Sequence, residues 1–281
     1  MAIDIAGLWA DLHPSRTLHV VDIGANPIDG DPPYRPLLDA GVCTVTGFEP
    51  QPEALARLQA SAGPTETYLP HAVGDGAEHQ LYRCLASGMT SLLEPDPQML
   101  DRFHLFPEFG KVLDVDTVHT TRLDDITELG AVDYLKIDVQ GSELAVFRGG
   151  RTTLARTVMI QTEVSFVPLY RGQPGIGQID VELRDQGFLP HAMPTLKQWP
   201  LAPLVFENNP RTPRHQLLEA DLVYTRGIIG AEELDDDQLK FLCVIAAGVY
   251  RSPDLAVRAA VELDRRGSLG RPVDVLLTHM E

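Results

Sequence analysis

Four times along this chain a short run of apolar and β-branched residues ends on or beside an acid: LHVVDIG (18–24), CTVTGFEP (43–50), VDYLKIDV (132–139) and TVMIQTEVSF (157–166). A fifth run, ETYLPHAVGDG (66–76), closes on a Gly-Asp-Gly turn. Runs of this length and composition predict strands, and stretches of helical periodicity separate them. These are PEALARLQA after Gln51, a helix from about Ser142, and QIDVELRDQGF, which ends at Gly187. Strands alternating with helices build a parallel sheet covered on both faces, a doubly wound, Rossmann-like α/β fold. HQLYRCL (79–85) and the alternating VLDVDTVHTTRLDDI (112–126) add strands outside that rhythm, and LEADLVYTR (218–226) makes a last, antiparallel strand.

Two flanks frame this domain of residues 18–226. Residues 1–17 hold a short amphipathic helix, with Ile5, Leu8, Trp9 and Leu12 on one face. Residues 227–281 read as a helical hairpin joined at Ser252-Pro253, packed on the core or on a second copy of the chain as a homodimer. Between the first two strands, Pro33 opens a helix over Tyr34–Ala40 that Gly41 stops.

Net charge is −17, spread along the chain, which excludes a phosphate-backbone partner whose affinity comes from Lys and Arg displacing counterions. Anionic membrane surfaces are disfavoured for the same reason. No apolar run reaches the roughly 18 residues of a membrane span, and MAIDIAGLWADLH lacks the basic and apolar regions of a signal peptide. Cys43, Cys84 and Cys243 lie far apart, so neither a zinc site nor a disulfide framework is indicated. A reduced, cytoplasmic protein acting on a small molecule is the expectation.

In an open α/β sheet, ligands sit beyond the carboxyl ends of the strands. The residues there are Asp22, Gly24, Ala25 and Asn26 after the first strand, Glu49 and Pro50 after the second, and Ala72 and Val73 in the third. Lys136 and Asp138 end the fourth, and Glu163 lies at the end of the fifth. Grouped buried carboxylates cost several kcal/mol each without partners, which a ligand rich in hydroxyl and positive groups supplies. Glu49 follows Gly24 by about 25 residues, the place of an acid that accepts both hydrogens of a ribose diol. A first-turn helix acid ahead of PEALARL is the bland alternative. A pyrophosphate cofactor wants G-x-G-x-x-G opening straight into a helix. Here one glycine follows an acid, and Pro27, Gly30, Pro32 and Pro33 delay the helix. That pattern suits a phosphate-free nucleoside, S-adenosylmethionine, with Gly24 admitting it closely and Asp22 anchoring the loop or meeting its ammonium. The isolated GQPGIG (172–177) lacks strand-helix context and reads as a surface loop.

Taken in order, VVDIGAN, GFEPQP, HAVGDG, MTSLLEP, TTRLDDI, VDYLKIDVQGSELAVFRGG, QTEVSFVPLY, LRDQGF and LLEADLVY resemble the FkbM-type S-adenosylmethionine-dependent methyltransferases over about Leu18 to Arg226. The resemblance implies the seven-stranded methyltransferase form of the Rossmann fold and O-methylation of hydroxyls on sugars or secondary metabolites. By position it implies that Asp22, Gly24, Asn26 and Glu49 line the cofactor, with Ala72 and Val73 near adenine and Asp138 beside the methyl donor. NPIDGDPPY (26–34) departs from the family's immediate turn into a helix, and that loop is expected to wall the acceptor pocket.

A neutral hydroxyl needs a base or a metal to become a nucleophile. Asp138 is the first candidate base, Glu163 the second and His71 the third, with Lys136 pairing Asp138 or Glu143. Asp138 and Glu163 with waters would make a magnesium site, but no third carboxylate stands close in sequence, and no metal is expected. Residues 87–111 and 168–177 are the expected pocket walls, with Met89, Phe106 and Tyr170 for apolar contact and Thr90 and Ser91 touching the acceptor or ending a turn. Two other functions compete: a regulatory protein that binds the cofactor without chemistry, and a nicotinamide-dependent oxidoreductase, which the missing phosphate loop disfavours.

Overall fold

The computed structural model describes residues 3–26 and 30–280; Pro27, Ile28 and Asp29, central to the predicted loop wall, lie outside them. The chain runs α1 (Ile5–Leu12), β1 (Leu18–Ile23), α2 (Arg35–Asp39), β2 (Cys43–Phe48), α3 (Pro52–Ser61), β3 (Glu66–Leu69), β4 (Ala72–Gly74) and β5 (Glu78–Cys84). It continues through α4 (Pro97–Leu100), α5 (Phe106–Phe109), β6 (Val112–Arg122), β7 (Tyr134–Ile137), α6 (Glu143–Gly149), β8 (Met159–Ser165) and α7 (Ile176–Asp185). Last come β9 (Leu189–Gln198), β10 (Leu217–Thr225), α8 (Asp236–Gly248), α9 (Pro253–Arg265) and α10 (Val273–Leu277).

Seven strands form one sheet in the order β3-β2-β1-β7-β8-β10-β9, with β10 antiparallel to both neighbours. Strand order reverses between β1 and β7, the switch point at which an open sheet leaves a crevice for ligand. Alternation along the strands sends Val20, Tyr134, Met159 and Val223 to one face, where α1, α2, α8 and α9 pack, and Val21, Leu135, Ile160 and Leu222 to the other, under α6 and α7. The C-terminal hairpin therefore covers a face of the main sheet. A capping box fixes its start, Asp235 accepting from Gln238 N–H while Gln238 returns a bond to Asp235 N–H.

Five local expectations change. The helix after the proline-rich loop is shorter, Arg35–Asp39, because Tyr34 is its cap and spends its hydroxyl on Asp22. The single third strand breaks at Pro70: β3 stays on the edge of the large sheet, while β4 joins a separate sheet of order β4-β6-β5. β6 is mostly exposed rather than half-buried, with Leu113 and Val115 open to solvent. β9 carries no strand signal in sequence because Pro190 and Pro194 interrupt it; both are tolerated on an edge strand with a bulged ladder. Finally, α10 follows the hairpin.

Candidate active site

A cleft of ≈ 1430 Å³ opens over the carboxyl ends of β1, β2, β7 and β8, and Asp22, Gly24, Ala25, Asn26, Glu49, Pro50, His71, Ala72, Val73, Asp138 and Glu163 all line it. Gly24 sits at φ +83°, and a Cβ there would fall 1.9 Å from the Asp138 carbonyl oxygen. Only glycine accepts both conditions. The Gly24 and Ala25 amides both donate to Phe48 O, at 3.1 and 3.2 Å, which folds the loop over the end of β2. Asp22 is buried and already partnered: Tyr34 Oη donates to Oδ2 at 2.7 Å, and Lys136 Nζ stands 3.1 Å from Oδ1. Lys136 also donates to Gly24 O at 3.2 Å. Burial alone would lower the Lys136 pKa, but Asp22 and Asp138 outweigh it and hold the ammonium charged.

Glu49 has 3% of its surface exposed. Its Oε1 accepts from Gln51 N–H at 2.8 Å, which leaves Oε2 for the cleft. Burial raises its pKa, against the Gln51 amide and the Arg57 charge. Nearby, His71 has its ring 6.0 Å from that of Phe48 and Nε2 3.8 Å from Glu128. It precedes Ala72 and Val73, on the Glu49 side of the cleft and away from the Asp138–Glu163 pair.

Across the cleft, Gln140 organises the acids. Its Nε2 donates to Asp138 Oδ1 at 2.6 Å and to Glu163 Oε2 at 3.2 Å. To do so its backbone takes φ +55°, a left-handed conformation that a non-glycine residue holds only at a cost. Glu143, at the start of α6, accepts from Val139 N–H at 3.0 Å and Gly141 N–H at 3.1 Å, clamping the turn that carries Asp138. Burial pushes the Glu143 carboxyl up to about 7. Glu163 rises well above the carboxylate range, first through burial and then through the charge of Asp138. Oxygens of Asp138, Glu143 and Glu163 come within 4.8 Å of one another, so Glu143 is the third carboxylate that the sequence did not reveal and the trio could hold a cation. One Glu143 oxygen is already committed to the two loop amides.

The predicted walls meet here. Ser91 Oγ donates to Gln140 O at 2.6 Å and Tyr170 Oη to Met89 O at 3.3 Å, joining residues 87–93 and 168–173 over the turn. Thr90 accepts from Cys84 N–H and so ends its turn. Residues missed in the sequence complete the far side. Lys197 Nζ donates to Glu219 at 2.7 Å and Thr195 Oγ1 to Asp221 at 2.6 Å, both between β9 and β10, while Gln161 and Tyr250 line the floor. The alternate acids in LEADL, Glu219 and Asp221, were the available signal.

A model of the methyltransferase FkbM domain matches residues 22–190. The chain belongs to the FkbM methyltransferase family. Membership brings with it the enzyme class and the cofactor, S-adenosylmethionine. A relative from Sinorhizobium fredii (strain NBRC 101917 / NGR234), described as 2-O-methyltransferase NoeI, is 32% identical over 174 residues, which span 55% of this chain and 66% of that protein. Among solved structures, a methyltransferase FkbM from Methylobacillus flagellatus KT shares 14% identity at a TM-score of 0.39, over 74% of this chain and 43% of that one. The magnesium protoporphyrin IX methyltransferase of Synechocystis PCC 6803, solved with bound SAM, shares 13% identity at a TM-score of 0.38, over 79% and 76%. The family match stops at residue 190, before β10 and the C-terminal helices. No helix among the described residues is long and apolar enough to cross a membrane.

Proposed function

We propose that the protein is an O-methyltransferase that methylates a hydroxyl of a sugar or small hydroxylated metabolite. The observation that carries this reading is the convergence of Asp22, Glu49 and Asp138 on one cleft at the switch point of the sheet. The residues present fit the cofactor: Gly24 leaves a cradle that a Cβ would fill, and Glu49 keeps an oxygen for a ribose diol. Asp22, held by Tyr34 and Lys136, anchors the loop rather than meeting the ligand. Ala72 and Val73 would flank adenine.

Bound S-adenosylmethionine supplies an electrophilic methyl group on a sulfonium. Asp138 orients the acceptor hydroxyl and takes its proton at Oδ2, while Gln140 fixes Oδ1. Burial and the charge of Asp138 raise Glu163 well above the carboxylate range, which favours its neutral form as a hydrogen-bond donor to the acceptor and leaves the base role to Asp138. His71 stays with the adenine side. Holding acceptor and methyl donor in line accounts for much of the rate in such a displacement. The hydroxyl acceptor draws support from the relative described as a 2-O-methyltransferase.

Two measurements test this. Calorimetry with S-adenosylhomocysteine should show binding in the micromolar to low millimolar range, and labelled methyl should pass from S-adenosylmethionine to members of a panel of neutral glycosides. Absence of binding would remove the cofactor assignment; binding without transfer to any hydroxyl compound would remove the acceptor class.

A further inference from the structure

The C-terminal hairpin lies outside the family-matched residues, yet it enters the cleft. Tyr250, just past α8, lines the floor together with Val249. Its ring stands edge-on to that of Tyr134 on β7, with centroids 6.2 Å apart at 82°. Its hydroxyl lies 2.5 Å from Tyr134 Oη and donates to Gln161 Oε1 at 2.8 Å. With the Tyr250 proton spent on Gln161, the Tyr134 hydroxyl donates to Tyr250, and the chain of bonds has one direction.

Gln161 is the residue this chain of bonds controls. It stands on β8, paired with Lys136, two positions before Glu163 and on the same face of the strand. Its Oε1 is fixed by Tyr250, so its Nε2 carries two N–H groups with no acceptor among the described residues, at a residue that lines the cleft. Beside it Lys136 Nζ is drawn to Asp22 at 3.1 Å and donates to Gly24 O at 3.2 Å, and Thr195 spends its hydroxyl proton on Asp221. Gln161 therefore offers a ligand a neutral amide donor in this tier. An amide donor suits a hydroxyl or ether oxygen of a neutral acceptor.

We infer that Tyr250, brought by the C-terminal hairpin, is a positioning residue for the acceptor: it holds Gln161 so that its amide N–H groups face the acceptor's oxygen atoms. The inference rests on the hydroxyl-acceptor function proposed above. It assigns to the hairpin a part in choosing the acceptor, beyond covering the sheet.

The experiment uses the full chain, with methyl α-D-glucopyranoside, methyl α-D-mannopyranoside and methyl α-L-fucopyranoside as probes and labelled S-adenosylmethionine as donor. Tyr250→Phe keeps the ring against Tyr134 and removes the hydroxyl. Gln161→Glu keeps an oxygen for Tyr250 and removes the donors. Each variant should raise the acceptor KM about tenfold, the loss of one hydrogen bond, with S-adenosylhomocysteine affinity within about twofold of the parent. In the double variant the two effects should not multiply, since both remove one contact. A purely structural role would lower thermal stability and leave the acceptor KM alone. An unchanged KM in a Gln161→Glu protein that still binds S-adenosylhomocysteine overturns the inference, whether or not Tyr250→Phe folds. If the parent binds S-adenosylhomocysteine but methylates no hydroxyl compound, glycoside or otherwise, the acceptor class fails, and this inference fails with it.

Discussion

Replacing Glu49 by glutamine separates a ribose contact from a helix-start acid. Glu49 is nearly buried, and its Oε1 already accepts from Gln51 N–H at 2.8 Å. Glutamine keeps that oxygen, so the turn into α3 should hold and the thermal midpoint should shift by no more than about 2–4 °C, the effect of ~1 kcal/mol in a chain this size. What is lost is the charged oxygen facing the cleft. A hydrogen bond to a charged acceptor contributes roughly 1.5–3 kcal/mol, so one lost bond weakens binding roughly 10- to 150-fold. Titration calorimetry with S-adenosylhomocysteine reads this directly. The parent should also lose affinity on acidification, because burial raises the Glu49 pKa and the protonated form no longer accepts two hydrogens. Glu49→Gln should be flat over the same range. A variant that binds within about threefold of the parent, with the same pH profile, would refute the ribose role and return Glu49 to the helix start.

Three further outcomes are expected. Gly24→Ala should abolish S-adenosylhomocysteine binding by calorimetry, since its Cβ would sit 1.9 Å from Asp138 O and its φ of +83° costs about 1–2 kcal/mol besides; wild-type affinity would exclude the cradle. Asp138→Asn should lower kcat by roughly 10²- to 10⁴-fold while S-adenosylhomocysteine affinity stays, measured on whichever glycoside the parent methylates. Glu143 has its carboxyl raised from 4.5 to about 7 in the fold, so the folded state holds the proton more tightly and stability falls as pH rises through that window. Urea midpoints between pH 4.5 and 8 should show a fall attributable to this residue of at most ~3 kcal/mol, absent in Glu143→Gln.

β1, β2 and β7 were legible because each is continuous, largely apolar and closed by a Gly or an acid; β1 runs from Leu18 to Ile23, as its sequence indicates. Residues at those strand ends were legible for the same reason, and all reach one cleft. β9 was not, since an edge strand with two prolines and no buried side chain carries no period of two. With β9 went Thr195 and Lys197, and with them the partners of Asp221 and Glu219. Glu143 looked like a first-turn helix acid; its bonds to Val139 and Gly141 depend on a turn with two successive left-handed residues, Gln140 and Gly141. Tyr250 depends on how a hairpin of local sequence docks from a distance, which no local pattern specifies.

Asp4 N–H donates to His279 O at 2.9 Å, and the His279 ring lies between Asp4 and Asp11, at 3.2 and 3.0 Å. On the sheet face above, Trp9 stacks on Phe241 at 6.1 Å. α1 is thus made long before the helices it packs with. During translation β1 and β2 can pair while the face they share with Leu8, Leu12 and α8 stays wet, and it dries only when α8 and α9 have left the ribosome. Removing α8 and α9 would strip a covering from β1 and β2, so damage late in the sequence would be felt as instability early in it.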